Sequence, residues 1–189
     1  MPGRQVSTAV SDLVLAFSAV YFVFHVIFVN FFAAVGIAIQ GAAAAMGVAR
    51  FGMAQVDPQI TQYHKMLSWL AQVVGIPLLG IGFVHNIMPT LVTLNFLFVI
   101  GVVVASRFVD DNMRKLLREA TSGFGMLSVI LASFYTINIF GLIGAAIYVA
   151  SGLVVGSEGY VGDMNMPRID LLHYCLAVGN VFFLYAFLW

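Results

Sequence analysis

Charge is what this sequence has least of. Lysine, arginine, aspartate and glutamate make up 8% of its 189 residues, against about 25% in soluble globular domains. A soluble chain of this size could not cover its surface with so few ionic groups, because surface area outruns the polar supply. The solvent such a chain expects is lipid. A single cysteine, Cys175, excludes an internal disulfide and a zinc site built from several thiolates. Eight basic residues offset eight acidic ones, and no lysine or arginine tract is present to bind nucleic acid. HExxH, HxxxH and GxSxG are all missing, so neither a metalloprotease helix nor a nucleophile elbow is offered. The expectation is a non-catalytic protein without metal or cofactor.

What fills the chain is apolar: 62% of residues are hydrophobic and the mean hydropathy is +1.03. A membrane-spanning helix needs roughly 20 such residues, with a range of about 17–25. The run from Thr8 to Ala49 is twice that length, so it should fold back near Asn30 into spans 8–29 and 31–49. It also far exceeds the roughly 7–15 apolar residues of a signal peptide, and Asp12 interrupts its start, so it reads as retained structure. RFGMAQVDPQITQYHK, residues 50 to 65, is a polar connection in which Pro58 suits a helix start. Further spans follow at 66–86, 88–106, 121–137, 139–157 and 169–188, with Pro89 and Asn138 marking tight reversals. The reading is one all-α domain, a polytopic integral membrane bundle of seven transmembrane helices.

Seven crossings put the N-terminus and the three polar connections on one face. Arg4, Arg50, Lys65, Arg107, Arg114, Lys115, Arg118 and Arg168 then share that face with all eight acidic residues, Asp163 among them. The opposite face keeps tight turns near Asn30, Asn86 and Asn138, together with Trp189. The positive-inside rule makes the charged face cytoplasmic, with the N-terminus inside and the C-terminus outside. RFVDDNMRKLLREATSG, residues 107 to 123, alone holds seven of the sixteen charges. Its apolar residues recur at helical spacing, and Asp110–Arg114 and Asp111–Lys115 are i,i+4 pairs of opposite sign. It reads either as an interfacial helix that docks lipid headgroups or a partner, or as a solvated extension of the fifth span.

Between helices in lipid, small residues and buried hydrogen bonds replace the hydrophobic drive. Gly36, Gly41 and Ala45 give the second span small patches, and Gly144, Tyr148, Gly152 and Gly156 recur at intervals of four in the sixth. Both sets could pack the bundle internally or join two copies. GIPLLGIG, residues 75 to 82, gathers helix breakers, and Pro77 predicts a kink in the third span.

Polar residues inside spans are default site candidates. Ser11, Ser18 and His25 share a face of the first span. Asp170, His173, Ala177 and Asn180 share one of the last. Asn95 and Gln72 are expected to reach these stripes. The groups serve structural hydrogen bonds, or a transport path through Asp12, Ser18, His25, Asn95, Asp170, His173 and Asn180, or a metal site. By span depth His25 and His85 lie towards the outer lip and His64 and His173 towards the inner one, which disfavours a shared metal.

STAVSDLVL near the start, VGIPLLG in the third span, NIFGLIG after the fifth and LAVGN in the last resemble, in order and spacing, the transmembrane protein 276 family. The resemblance implies a small multi-span protein of eukaryotic membranes and brings no activity with it. Taken together, the expectation is an accessory or structural subunit that meets membrane lipids and another integral membrane protein, or a second copy of itself. A small proton- or solute-conducting transporter is the alternative, with a membrane-embedded lipid enzyme behind it.

Overall fold

The computed structural model describes residues 5–162 and 166–189, so Arg4 and Asp163 lie outside the described residues. Seven helices follow one another there: α1 (Val6–Val26), α2 (Phe31–Gly52), α3 (Pro58–Val84), α4 (Pro89–Ala105), α5 (Asp111–Tyr135), α6 (Ile139–Val155) and α7 (Arg168–Leu188). Short connections make successive helices antiparallel. Apart from a bridge between Tyr160 and Pro167 in the last connection, the described secondary structure is helical.

Four helices, α1, α2, α3 and α7, are long and apolar enough to cross a membrane. Helices α4 and α6 are apolar but shorter; the 17 residues of α4 reach about 25 Å at roughly 1.5 Å per residue. Helix α5 spends its first turns on the charged stretch before turning apolar.

Helix starts follow local chemistry. Asn30 caps α2 by accepting from the Ala33 amide at 3.0 Å, and its own amide donates to the Gly82 carbonyl at 2.7 Å. Asn138 repeats the device, accepting from Gly141 at 3.0 Å and donating to Ala186 at 2.8 Å. Each asparagine thus closes one turn and ties it to a different helix, satisfying donors that a helix start leaves orphaned. Pro58 and Pro89 open α3 and α4, where a missing N–H costs nothing.

One local expectation needs correcting. Asp110 is not paired with Arg114; it caps α5 through the Met113 amide at 2.8 Å. Arg114 instead binds Asp111 at 2.7 Å, three residues back, and also reaches the Ser106 carbonyl at 3.1 Å. Pro77 is accommodated within its helix. The turn before it, Ala71–Gly75, widens to π-helical geometry, which accommodates the donor that proline removes. Of the two readings of the charged stretch, the structure shows the extension of the fifth helix, since α5 runs unbroken from Asp111.

Backbones meet where glycines face each other. A methyl group at Gly36 would fall 2.5 Å from the Gly75 carbonyl oxygen, and one at Gly80 would fall 2.6 Å from that of Gly125. These contacts set α2 and α5 directly against α3, the close approach that lipid-soluble bundles use. Gly41 packs on Ala19 and Gly144 on the Phe183 ring, both as small-residue packing predicts. Ala45, by contrast, is exposed while Ala43, Ala44 and Gly47 are buried. A methyl group at Gly152 or Gly156 would meet nothing within 4 Å. The π-helical turn Ser151–Val155 takes them off a common α-helical face, and Gly156 ends the helix at φ +65°.

Candidate functional site

Helix α1 buries Thr8, Ser11, Asp12, Leu15, Ala19, Phe22 and Val26, a face with the 3–4 spacing of a helix. Helix α7 buries Asp170, Ala177, Asn180 and Leu184 in the same rhythm. The two faces meet along a seam that α2 closes from the side, and the seam is layered.

The first layer lies nearest the charged connections. Asp12 and Asp170 are each 1% exposed. Ser11 Oγ lies 3.0 Å from the Thr8 carbonyl, 3.4 Å from Asp170 Oδ1 and 3.2 Å from His173 Nδ1. His173 Nδ1 is also 3.3 Å from Asp12 Oδ1. Asp12 Oδ2 rests directly on Gly47, where any side chain would collide with it. Three buried oxygens in this layer, Thr8 Oγ1, Asp12 Oδ2 and Asp170 Oδ2, have no hydrogen-bond partner. One turn beyond Gly47, Arg50 lies at the rim, 2.9 Å from His64 Nδ1 of α3 and stacked over Phe51.

Leu15, Ala44 and Ala177 form the next layer, which is apolar. Beyond it comes a second polar layer. The Tyr148 hydroxyl of α6 shares its one proton between Gln40 Oε1, at 3.0 Å, and Asn180 Oδ1, while the Asn180 amide donates to Ser18 and Gln40, both at 3.0 Å. This network spans four helices, and its ring sits on Gly179. Further on, Phe22, Val26, Ala33, Ile37, Leu79 and Phe183 fill the bundle.

Five of the predicted path residues therefore gather in one seam: Asp12, Ser18, Asp170, His173 and Asn180. Two do not. His25 turns back to the Tyr21 carbonyl of its own helix at 2.9 Å. Asn95 sits with Ser128 of α5 at 2.8 Å, on the other side of the molecule's contacts. Gln72 also stays away from the stripes, bonding Ser68 of its own helix at 3.4 Å. His85 joins the Asn30 turn, its Nδ1 2.8 Å from the Gly82 carbonyl. Sequence reasoning missed Gln40 and the polar role of Tyr148. It also missed Gly47, whose lack of a side chain admits Asp12. Among the described residues, no three His, Cys, Asp or Glu side chains are placed to hold a metal ion.

The chain resembles transmembrane protein 276. It is 27% identical to that protein of Homo sapiens over 185 residues, covering 95% of this chain and 90% of the relative. The likeness thus extends from α1 to α7. No family model matches the chain, and no solved structure does. The resemblance and the long apolar helices together support an integral membrane protein.

Proposed function

We propose that the protein is a non-catalytic accessory subunit, crossing the membrane seven times with its N-terminus cytoplasmic and its C-terminus opposite. It works through helix–helix contact with another integral membrane protein. The crossing count draws support from where charge sits. The connections 53–57, 106–110 and 156–167 carry acidic or basic residues, whereas 27–30, 85–88 and 136–138 carry none apart from His85. The positive-inside rule then orients the chain.

One observation carries the accessory reading. The outward face of α1 bears Phe17, Tyr21 and Phe24 at helical spacing, exposed by 57 to 76%, and Phe28 follows, exposed, in the turn beyond. A ladder of large, rigid side chains on one edge helix offers a partner helix deep contact at low entropic cost. The test is isolation of the protein from its native membrane in mild detergent, with a photo-crosslinker at Phe24 and, as control, at buried Ala177. A membrane protein in fixed ratio, crosslinked from Phe24 alone, is the expected result. A solitary monomer from gentle extraction defeats the reading.

A second reading, conduction of protons or a small solute along the seam, is favoured by the meeting of Asp12, Ser18, Asp170, His173 and Asn180. Against it stand the Leu15–Ala44–Ala177 layer and the packed aromatic half beyond Tyr148. Flux into liposomes that falls with Asp170→Asn and His173→Ala would favour conduction; flux indifferent to both removes those residues from any path.

A further inference from the structure

We propose that Asp12, Asp170 and His173 form a dead-end proton site, which holds one proton taken from the charged end of the bundle and passes none to the other. The inference concerns the first polar layer and stands whether or not a partner protein is found.

The argument begins with counting. Two carboxyls are buried together, and an isolated ion in a low-dielectric interior costs many kcal/mol unless compensated. The elements packed around them bring few groups. From α2 comes Arg50, a permanent cation at the rim. From α3 comes His64, with Nδ1 turned to Arg50. From α7 comes His173, and α6 contributes Tyr148 one layer further in. Two carboxylates against one guanidinium leave a deficit of one positive charge. A single proton, on His173 or on either carboxyl, closes it.

Geometry argues that the missing cation is a proton rather than a metal. No set of three metal-ligating side chains converges here among the described residues. Asp12 Oδ2 is seated against the Gly47 backbone, which covers that side of the oxygen. A proton needs no room. The chain from Asp12 Oδ1 through His173 Nδ1 and Ser11 Oγ to Asp170 Oδ1, with steps of 3.3, 3.2 and 3.4 Å, allows it to be shared. When His173 N–H donates to Asp12, the Ser11 hydroxyl donates to Asp170 or the Thr8 carbonyl. When Asp170 carries the proton on Oδ1, its O–H donates to Ser11 Oγ in place of the reverse bond.

Access and closure are also visible. The His173 side chain is 12% exposed while that of Asp12 is 1% exposed, so the imidazole is where the layer meets the outside. Inward, Leu15, Ala44 and Ala177 present only hydrocarbon. Nothing there can accept a proton for relay to Ser18.

The test uses the full chain in lipid nanodiscs at neutral pH. The bound proton should appear either as a protonated-carboxyl infrared band that shifts in deuterated water, or as a doubly protonated His173 ring in nitrogen NMR. The signal should be largely lost in Asp170→Asn and absent in Asp12→Asn/Asp170→Asn, and it should ignore replacement of a bulky organic cation by sodium. Absence of both signals, persistence in the double variant, or loss on adding sodium overturns the proposal. Should the double variant not fold, the wild-type signal and its response to sodium and to Asp170→Asn still decide. In liposomes, sustained proton flux that Asp170→Asn abolishes overturns the dead end, whereas flux equal to that of empty vesicles supports it.

Discussion

The two polar layers of the seam are built alike and satisfied differently. Each draws on α1 and α7, each rests on a glycine, Gly47 or Gly179, and each is nearly dry. In the Tyr148 layer the groups are neutral, and the tyrosine, both amides and Ser18 are linked by hydrogen bonds. In the Asp12 layer the groups are ionisable, and three oxygens lack partners. A linked neutral network fixes which helices meet, because its bonds join four of them in one place. An incomplete ionisable one leaves a place for something that comes and goes. The difference separates a structural lock from a binding site within about two helical turns.

The largest expected effect comes from making the lock resemble the site. Asn180→Asp places a carboxylate among Tyr148, Gln40 and Ser18 with no cation nearby. Stability in a detergent-unfolding titration should fall by about 3–5 kcal/mol, the cost of an uncompensated buried charge. A change below about 1 kcal/mol would mean that the second layer is wet. Next come the two glycine shelves. A methyl at Gly179 would stand 2.6 Å from the Tyr148 ring, and one at Gly47 would strike the Asp12 carboxyl. Each alanine substitution should cost about 1–3 kcal/mol through overpacking. Only Gly47→Ala should also disturb the proton signal; equal disturbance by both would erase the distinction between the layers.

Much of this was legible in the sequence, for a physical reason. Seven apolar stretches and their breakers decide where helices form, since backbone groups in lipid must be satisfied within the segment. The stripes on α1 and α7 could be read because a helix repeats every three to four residues, which puts Ser11 with Ser18 and Asp170 with His173 and Asn180. Their partners on other helices could not be read. Gln40 and Tyr148 stand alone among apolar neighbours, and the bonds between them and Asn180 link residues 108, 32 and 140 positions apart. Gly47 carries no sign that a carboxyl will lie on it. Asn95 looked equivalent to the stripe residues, but depth alone does not say which side of a bundle a helix occupies. Gly152 and Gly156 had the right spacing for packing, but both face open space in the single chain and nothing inside the bundle packs on them.

A smaller effect is expected from Tyr148→Phe. The ring would stay on Gly179, but Asn180 Oδ1 would lose its donor, whereas Gln40 Oε1 would keep the Asn180 amide. The loss should be about 0.6–1.7 kcal/mol, the range for interhelical hydrogen bonds in membranes. It should not depend on pH between mildly acid and neutral conditions, since no group in that layer titrates there. A pH-dependent loss would show that the two layers are coupled through Leu15, Ala44 and Ala177.

The smallest effect should come from Asp12→Asn, although it alters the more deeply charged layer. Asparagine keeps the shape that fits Gly47, and its amide can donate towards a neutral His173 in place of the shared proton. With one carboxylate gone, Asp170 and Arg50 offset each other and the layer needs no proton. Unfolding free energy at neutral pH should therefore stay within about 0.5 kcal/mol of wild type, while the proton signal diminishes sharply. The same substitution in a purely structural ion pair would behave in the opposite way, costing about 3–5 kcal/mol by leaving its partner unpaired. Measuring stability and protonation on this single variant thus separates a layer that holds its helices by charge from one that holds a proton.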